Sequence, residues 1–186
     1  MRIAVIGSEG MLGRDLVGFL GNRHEVVGLD IGEIDIRRRE ATVATIAEVQ
    51  PHLIVNSAAC VDVESCETEP ERAWRVNALG AQNLAMAADR IGADYLYISS
   101  DYVFDGRSGG DYDEFATPCP VNQYGRSEKV EELTSARLSR QAERPCRTVL
   151  DCRLFELVTG HTMAHWQDGV RDYFINRHAT KQTRRR

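Results

Sequence analysis

Gly7, Gly10 and Gly13 stand three residues apart, directly after the apolar run Arg2–Ile6. Between a strand and a helix, that pattern suits a pyrophosphate. Gly7 permits a tight turn, Gly10 lets the backbone approach a phosphate, and Gly13 lets the helix pack close to the strand. A tight strand–helix turn without a ligand would use the same glycines. Asp30 ends the next apolar run, Glu25–Leu29, 17 residues after Gly13. A carboxylate there accepts hydrogen bonds from ribose hydroxyls and repels a 2′-phosphate, which favours NADH. Arg37, Arg38 and Arg39 keep NADPH open. Asn56-Ser57-Ala58-Ala59 follows the third apolar run, and small residues there leave room in the crevice outside a sheet. Asn77 falls inside a helical stretch, a poor place for Asn unless its amide has a partner. It is grouped with the cofactor-binding residues, in the role of bracing the site's backbone.

The elements that must hold these residues alternate. Strands are expected at Arg2–Ile6, Glu25–Leu29, 53–55 and 95–99, and helices at Met11–Leu20, 40–49 and 69–91, the last with Pro70 in its first turn and Gly92 as its stop. Such alternation implies an α/β fold with a parallel sheet covered on both faces. Residues 105–124 read as a loop and 124–140 as a helix. One more strand is expected at 148–150 or 154–158.

The chain has 186 residues and 42% hydrophobic content, enough for one domain with a core. Residues 1–124 are net −10 and the remainder net +5, so an acidic body ends in a basic tail, Lys181 to Arg186. The acidic body argues against nucleic acid as a partner. No apolar run approaches the ~20 residues of a membrane span, and the N-terminus lacks a signal-peptide pattern, so the expectation is a cytoplasmic protein with no membrane partner. The five cysteines, Cys60, Cys66, Cys119, Cys146 and Cys152, contain no CxxC. His161 and His165 lack the Glu of an HExxH motif, so no metal site is expected.

Several strings together resemble the dTDP-4-dehydrorhamnose reductase family of extended short-chain reductases. They are Val55-Asn56-Ser57-Ala58-Ala59, Glu67-Thr68-Glu69-Pro70-Glu71, Val76-Asn77-Ala78-Leu79-Gly80, Ile98 through Gly106, and Tyr124-Gly125-Arg126-Ser127. The resemblance covers about residues 1–127. It implies a Rossmann-type doubly wound parallel sheet that binds NADH or NADPH. It implies a nucleotide-sugar substrate, dTDP-4-dehydro-L-rhamnose, and leaves a homodimer open. By position it assigns Gly10, Met11 and Leu12 to the pyrophosphate and Asp30 to the ribose. Asp35 and Ile36 fall beside the adenine, and Ala58, Ala59 and Cys60 along the cofactor. Ser100 would hydrogen-bond the substrate carbonyl, Asp101 and Tyr102 would touch the sugar nucleotide, and Tyr124 would be the catalytic acid.

Two departures follow Tyr124. The family has a lysine one helical turn on, whose charge lowers the tyrosine pKa from about 10. Here position +4 is Glu128, which would raise it, and Lys129 at +5 is turned about 100° further round a helix. Lys129 is the candidate third catalytic residue. The family also continues into a small C-terminal substrate domain, whereas no family text is recognisable after Ser127. The expectation is therefore a cofactor-binding domain over 1–150. Residues 151–186 are expected to be divergent or truncated and partly disordered, with the substrate domain largely missing. Activity would be impaired; the alternative is a non-catalytic dinucleotide-binding or regulatory module.

Overall fold

The computed structural model describes residues 1–129, 150–165 and 167–168. Contacts divide the chain into two units, residues 1–109 with 117–148, and residues 110–116 with 149–186. The first is built on four parallel strands, β1 (Arg2–Ile6), β2 (Glu25–Leu29), β3 (Leu53–Asn56) and β4 (Asp94–Tyr97), in the order β2-β1-β3-β4. Helices α1 (Met11–Leu20), α2 (Arg39–Val49), α3 (Val63–Thr68), α4 (Pro70–Ala73) and α5 (Ala81–Ile91) connect them.

Strand periodicity decides which residues face which layer. Ile3, Val5 and Val55 point to one face, where Leu16, Val17 and Leu20 of α1 cover them. Ala4, Ile6 and Ile54 point to the other, against Ile46 of α2 and Leu84, Ala87 and Ala88 of α5. Fully burying each Ile or Leu contributes roughly 1.5–3 kcal/mol. The fold is thus α/β with a Rossmann-like parallel sheet, as the alternation implied. Among the described residues no strand pairs with the outer edge of β4; Leu96 of that strand is 49% exposed and Ile98, just after it, 37%.

Residues 70–91 run as one helical stretch, with Pro70 in its first turn and Gly92 in the left-handed conformation at its end (φ 69°). Its middle, Trp74–Gly80, is a π-helical segment that contains Asn77. Two expectations need correction. The helix at Tyr124 is short: α6 spans Gln123–Glu128, and Lys129 is already extended (φ −79°, ψ 111°). The 154–158 region is not a strand. It lies in α7 (Arg153–Thr159), which Gly160 stops in the left-handed conformation (φ 69°). In this second unit Leu150 makes an isolated bridge with Tyr112. The expected helix beyond Lys129 to Arg140, residues 148–149, Cys146 and the tail from Lys181 lie outside the described residues. Among the described residues no helix is long and apolar enough to cross a membrane, and no group of three His, Cys, Asp or Glu could hold a metal.

Candidate functional site

The C-terminal ends of β1, β2 and β3 border a cleft of about 570 Å³. In a doubly wound sheet this is the switch point, where one connection leaves toward each face. Gly7, Glu9 and Gly10 line one wall, Asp30, Asp35 and Ile36 a second, and Ala58, Ala59 and Cys60 a third. Gly7 is required twice over: its φ is +78°, and a Cβ there would lie 2.8 Å from the Ala58 amide nitrogen. Gly13 is buried beneath the turn, where a Cβ would meet the Gly7 carbonyl oxygen at 2.0 Å. At Gly10 a Cβ would touch only that same oxygen, at 3.2 Å. Gly10 caps the ten-residue α1, whose first turn exposes Met11 and Leu12. Its free amides and dipole favour an anion.

Asp30 has a structural task besides any ligand. Its Oδ2 accepts the Glu9 amide at 2.8 Å and its Oδ1 the Ile31 amide at 2.8 Å. The carboxylate thereby fastens the glycine turn to the end of β2. Arg37 is held by Asp35 through a two-pronged contact at 2.8 and 2.9 Å. That guanidinium holds the Asp35 carboxyl below its usual range. The Asp35–Ile36 segment is fixed from α5, where Asn83 donates to the Ile36 carbonyl at 2.8 Å.

Asn77 lies off the cleft wall, fully buried, and its amide is spent on the Cys60 backbone and the Ser127 hydroxyl. Its Oδ1 accepts the Cys60 amide at 2.7 Å, and its Nδ2 donates to the Cys60 carbonyl at 3.2 Å and to Ser127 Oγ at 2.9 Å. It joins the cleft wall to the tyrosine helix, which is the bracing role.

The second cluster forms where the turn after β4 meets α6. Ser100 caps the short 3-10 turn Asp101–Val103 by accepting the Tyr102 amide at 3.2 Å. Asn122 caps α6 by accepting the Gly125 amide at 2.8 Å. The helix approaches so closely that a Cβ on Gly125 would lie 2.0 Å from the Tyr102 carbonyl oxygen. Tyr124 and Tyr102 pack edge to face with ring centroids 5.5 Å apart. Ser100, Asp101, Tyr102 and Tyr124 are therefore brought together. Lys129 follows the helix, half-buried, on extended backbone.

Glu128 is 2% exposed and faces inward. Its Oε2 lies 2.5 Å from the Tyr97 hydroxyl, which is itself 3.3 Å from the Asn77 carbonyl. Burial raises the Glu128 pKa, with the Tyr97 and Tyr124 hydroxyls acting the other way. The Tyr97 hydroxyl donates to this carboxyl and has the Asn77 carbonyl as a second acceptor within reach. Tyr124 comes close enough to influence the carboxyl, yet Oε1 has no hydrogen-bond partner among the described residues. The Tyr124 phenol is pushed up to about 12, first by burial and then by the Glu128 charge, with the Ser100 hydroxyl pulling it back. It is a weak acid, held beside a hydroxyl.

The raised Glu128 pKa has a pH signature. The folded chain holds this proton more tightly than the unfolded chain, so its stabilising contribution is full below the ordinary value of 4.5 and is lost as pH rises through the folded value. Glu128→Gln should therefore gain in melting temperature over wild type as pH rises from about 5 to about 8. The expected gain is on the order of 1 kcal/mol, or about 2–4 °C. Thermal melts across that range check it, and a pH-independent difference would sink the idea.

Sequence reasoning missed the cleft residues Ile34, Arg72 and Val76, and the partner Tyr97. Arg72 and Val76 are four apart in one helical stretch, a spacing that put them on one face. Tyr97 alternates with Leu96, which was a signal that it points inward.

Residues 1–134 match the family model described as the RmlD substrate binding domain. The dTDP-4-dehydrorhamnose reductase of Aggregatibacter actinomycetemcomitans is 38% identical over 140 residues, which cover 74% of this chain and 48% of that protein. A crystal structure of the dTDP-4-dehydrorhamnose reductase of Bacillus anthracis in complex with NADP is 37% identical, with a TM-score of 0.66, over 68% of this chain and 46% of that one. The Thermus thermophilus UDP-glucose 4-epimerase complexed with NAD is 26% identical, with a TM-score of 0.63, over 69% of this chain and 47% of that one. The chain spans about half the length of the curated relatives it matches.

Proposed function

Because the chain belongs to the dTDP-4-dehydrorhamnose reductase family, we propose that it binds NADH or NADPH in the cleft and reduces the 4-ketone of a nucleotide sugar, dTDP-4-dehydro-L-rhamnose, at a low rate. The observation that carries this reading is the glycine turn and Asp30 on one cleft at the switch point of the sheet. Features of the cleft that support a dinucleotide are Gly10 on its wall without a side chain, small residues at Ala58 and Ala59, and an exposed helix start for the pyrophosphate. Gly10, Met11 and Leu12 would bind the phosphates, Asp30 the ribose, and Asp35 and Ile36 would flank the adenine. Ala58, Ala59 and Cys60 would run alongside toward the nicotinamide, with Asn77 holding that wall. The cofactor-binding portion is read as residues 1–150.

When bound, the reduced nicotinamide supplies a hydride. Ser100 orients the ketone, and Tyr124 delivers its phenolic proton to the oxygen as negative charge develops there. Asp101 and Tyr102 contact the sugar nucleotide, and Lys129 is the nearest candidate in sequence for the missing cation. The buried carboxyl at Glu128 favours a second reading, a module that binds the dinucleotide and does not turn over.

Calorimetric titration followed by a reduced-nicotinamide oxidation assay separates the two. Saturable binding with slow turnover that disappears in Tyr124→Phe supports the first reading, binding without turnover the second, and no binding by folded chain overturns both. Asp30→Ala sharpens the assignment of the ribose. Because Asp30 also holds the Glu9 amide, the variant should weaken both cofactors. NADH should suffer more, by about tenfold, as a charge-assisted hydrogen bond is lost. An unchanged NADH:NADPH ratio would place Asp30 away from the ribose.

A further inference from the structure

Two of the cysteines stand together, and the reading above uses only the backbone position of Cys60 along the cofactor and gives neither thiol a task. Cys66 lies within α3 and is fully buried, and Cys60 is half-buried on the wall of the cleft. Their sulfurs are 3.8 Å apart, and the Cys66 thiol also lies 3.5 Å from the Cys60 carbonyl oxygen. Separate anchors produce this approach. Asp62 caps α3 through the Glu64 and Ser65 amides, both at 3.1 Å, and its carbonyl accepts the Cys66 amide at 2.9 Å. Asn77 clamps the Cys60 backbone at both its amide and its carbonyl. A disulfide has an S–S length of about 2.05 Å, so the sulfurs need to close by less than about 2 Å.

We propose that Cys60 and Cys66 form an oxidisable dithiol at the edge of the cleft, which closes to a disulfide when the chain meets a hydroperoxide. The difference in exposure sets the order of events. Cys60 sulfur attacks the peroxide and takes one oxygen, giving a sulfenic acid and releasing an alcohol or water. Cys66 sulfur then attacks the Cys60 sulfur, and the S–O bond breaks as water leaves. The two thiols together lose two electrons and two protons, and the peroxide O–O bond is reduced. Burial, and then the neighbouring Cys60, raise the Cys66 thiol to about 12, so Cys66 is not the thiol that meets the peroxide first. Closure draws the Cys60 sulfur inward and so alters a wall of the cleft, and a thiol reductant reverses it.

The test uses the full chain. Residues 40–72 contain both cysteines and no internal Lys or Arg before Arg72, so trypsin releases them on one peptide. After hydroperoxide treatment and blocking with iodoacetamide, that peptide should carry no alkyl group and be lighter by two hydrogens. Prior dithiothreitol should restore two alkylation sites. Cys66→Ala should leave Cys60 as a sulfenic acid, raising dimedone trapping about tenfold over wild type. Should Cys66→Ala fail to fold, Cys60→Ser at the more exposed position decides instead, because Cys66 should then stay unoxidised. The proposal is overturned if the 40–72 peptide remains doubly alkylated at a peroxide dose that oxidises the exposed Cys119. It is equally overturned if Cys66 is oxidised when Cys60 is serine.

Discussion

Gly10→Val should abolish saturable NADH and NADPH binding while leaving the fold intact, and Gly13→Ala should lose both. The two glycines differ in what stands behind them. A Cβ at Gly13 would lie 2.0 Å from the Gly7 carbonyl oxygen and 2.8 Å from its carbonyl carbon and from Ser8 Cα. These are backbone atoms, so α1 must move away from β1. Overpacking of this kind costs at least about 1–3 kcal/mol, or several degrees of melting temperature. At Gly10 only one atom is near, at 3.2 Å, and the backbone (φ −67°, ψ 170°) suits any residue. Valine there fills the space that a pyrophosphate would take. Calorimetry and thermal melts on both variants check the pair. Normal cofactor binding by Gly10→Val would remove the phosphate from this turn.

Glu128→Lys should raise ketone reduction from a wild-type level that is weak or absent. In wild type the Tyr124 phenol sits at about 12, raised by burial and by the carboxylate one turn on. It stays protonated through neutrality, so the proton is present, but its transfer leaves a costly phenolate. An ammonium at 128 reverses the sign of the local charge, and proton transfer is typically worth about 10²–10⁴-fold. Recovery should be partial, since burial, the larger cause of the raised Tyr124 value, remains. The pH profile distinguishes this from repacking: wild type should stay flat through mildly alkaline pH, whereas the lysine variant should lose rate there as its tyrosine ionises. Strong wild-type turnover that vanishes in both Tyr124→Phe and Lys129→Ala would reverse the assignment and show Lys129 at work.

What could be read from the sequence was what depends on neighbours in sequence. The glycine spacing, Asp30 at a strand end, Pro70 at a helix start and Gly92 at its end are local signals, and each element they mark is present. Glu128 was legible as the wrong residue at the right position, but its burial was not. That depends on Tyr97 and Asn77, 31 and 51 residues away, which only the assembled sheet brings beside it. Asn77 was legible as misplaced within a helix, yet its partners Cys60 and Ser127 come from either side in sequence. The apolar run at 154–158 was ambiguous because a short run of this kind fits either period, and the left-handed Gly160 resolves it as a helix.

The outer edge of β4 has a consequence for how the chain behaves in a crowded solution. Among the described residues no strand pairs with this edge, and a strand left so, with Leu96 exposed on it, is a template on which another chain can build. Natural sheets blunt such edges with charges, and here Asp94 supplies one only at the start of the strand. Edge-to-edge aggregation, rather than thermal unfolding, would then set the practical ceiling on concentration.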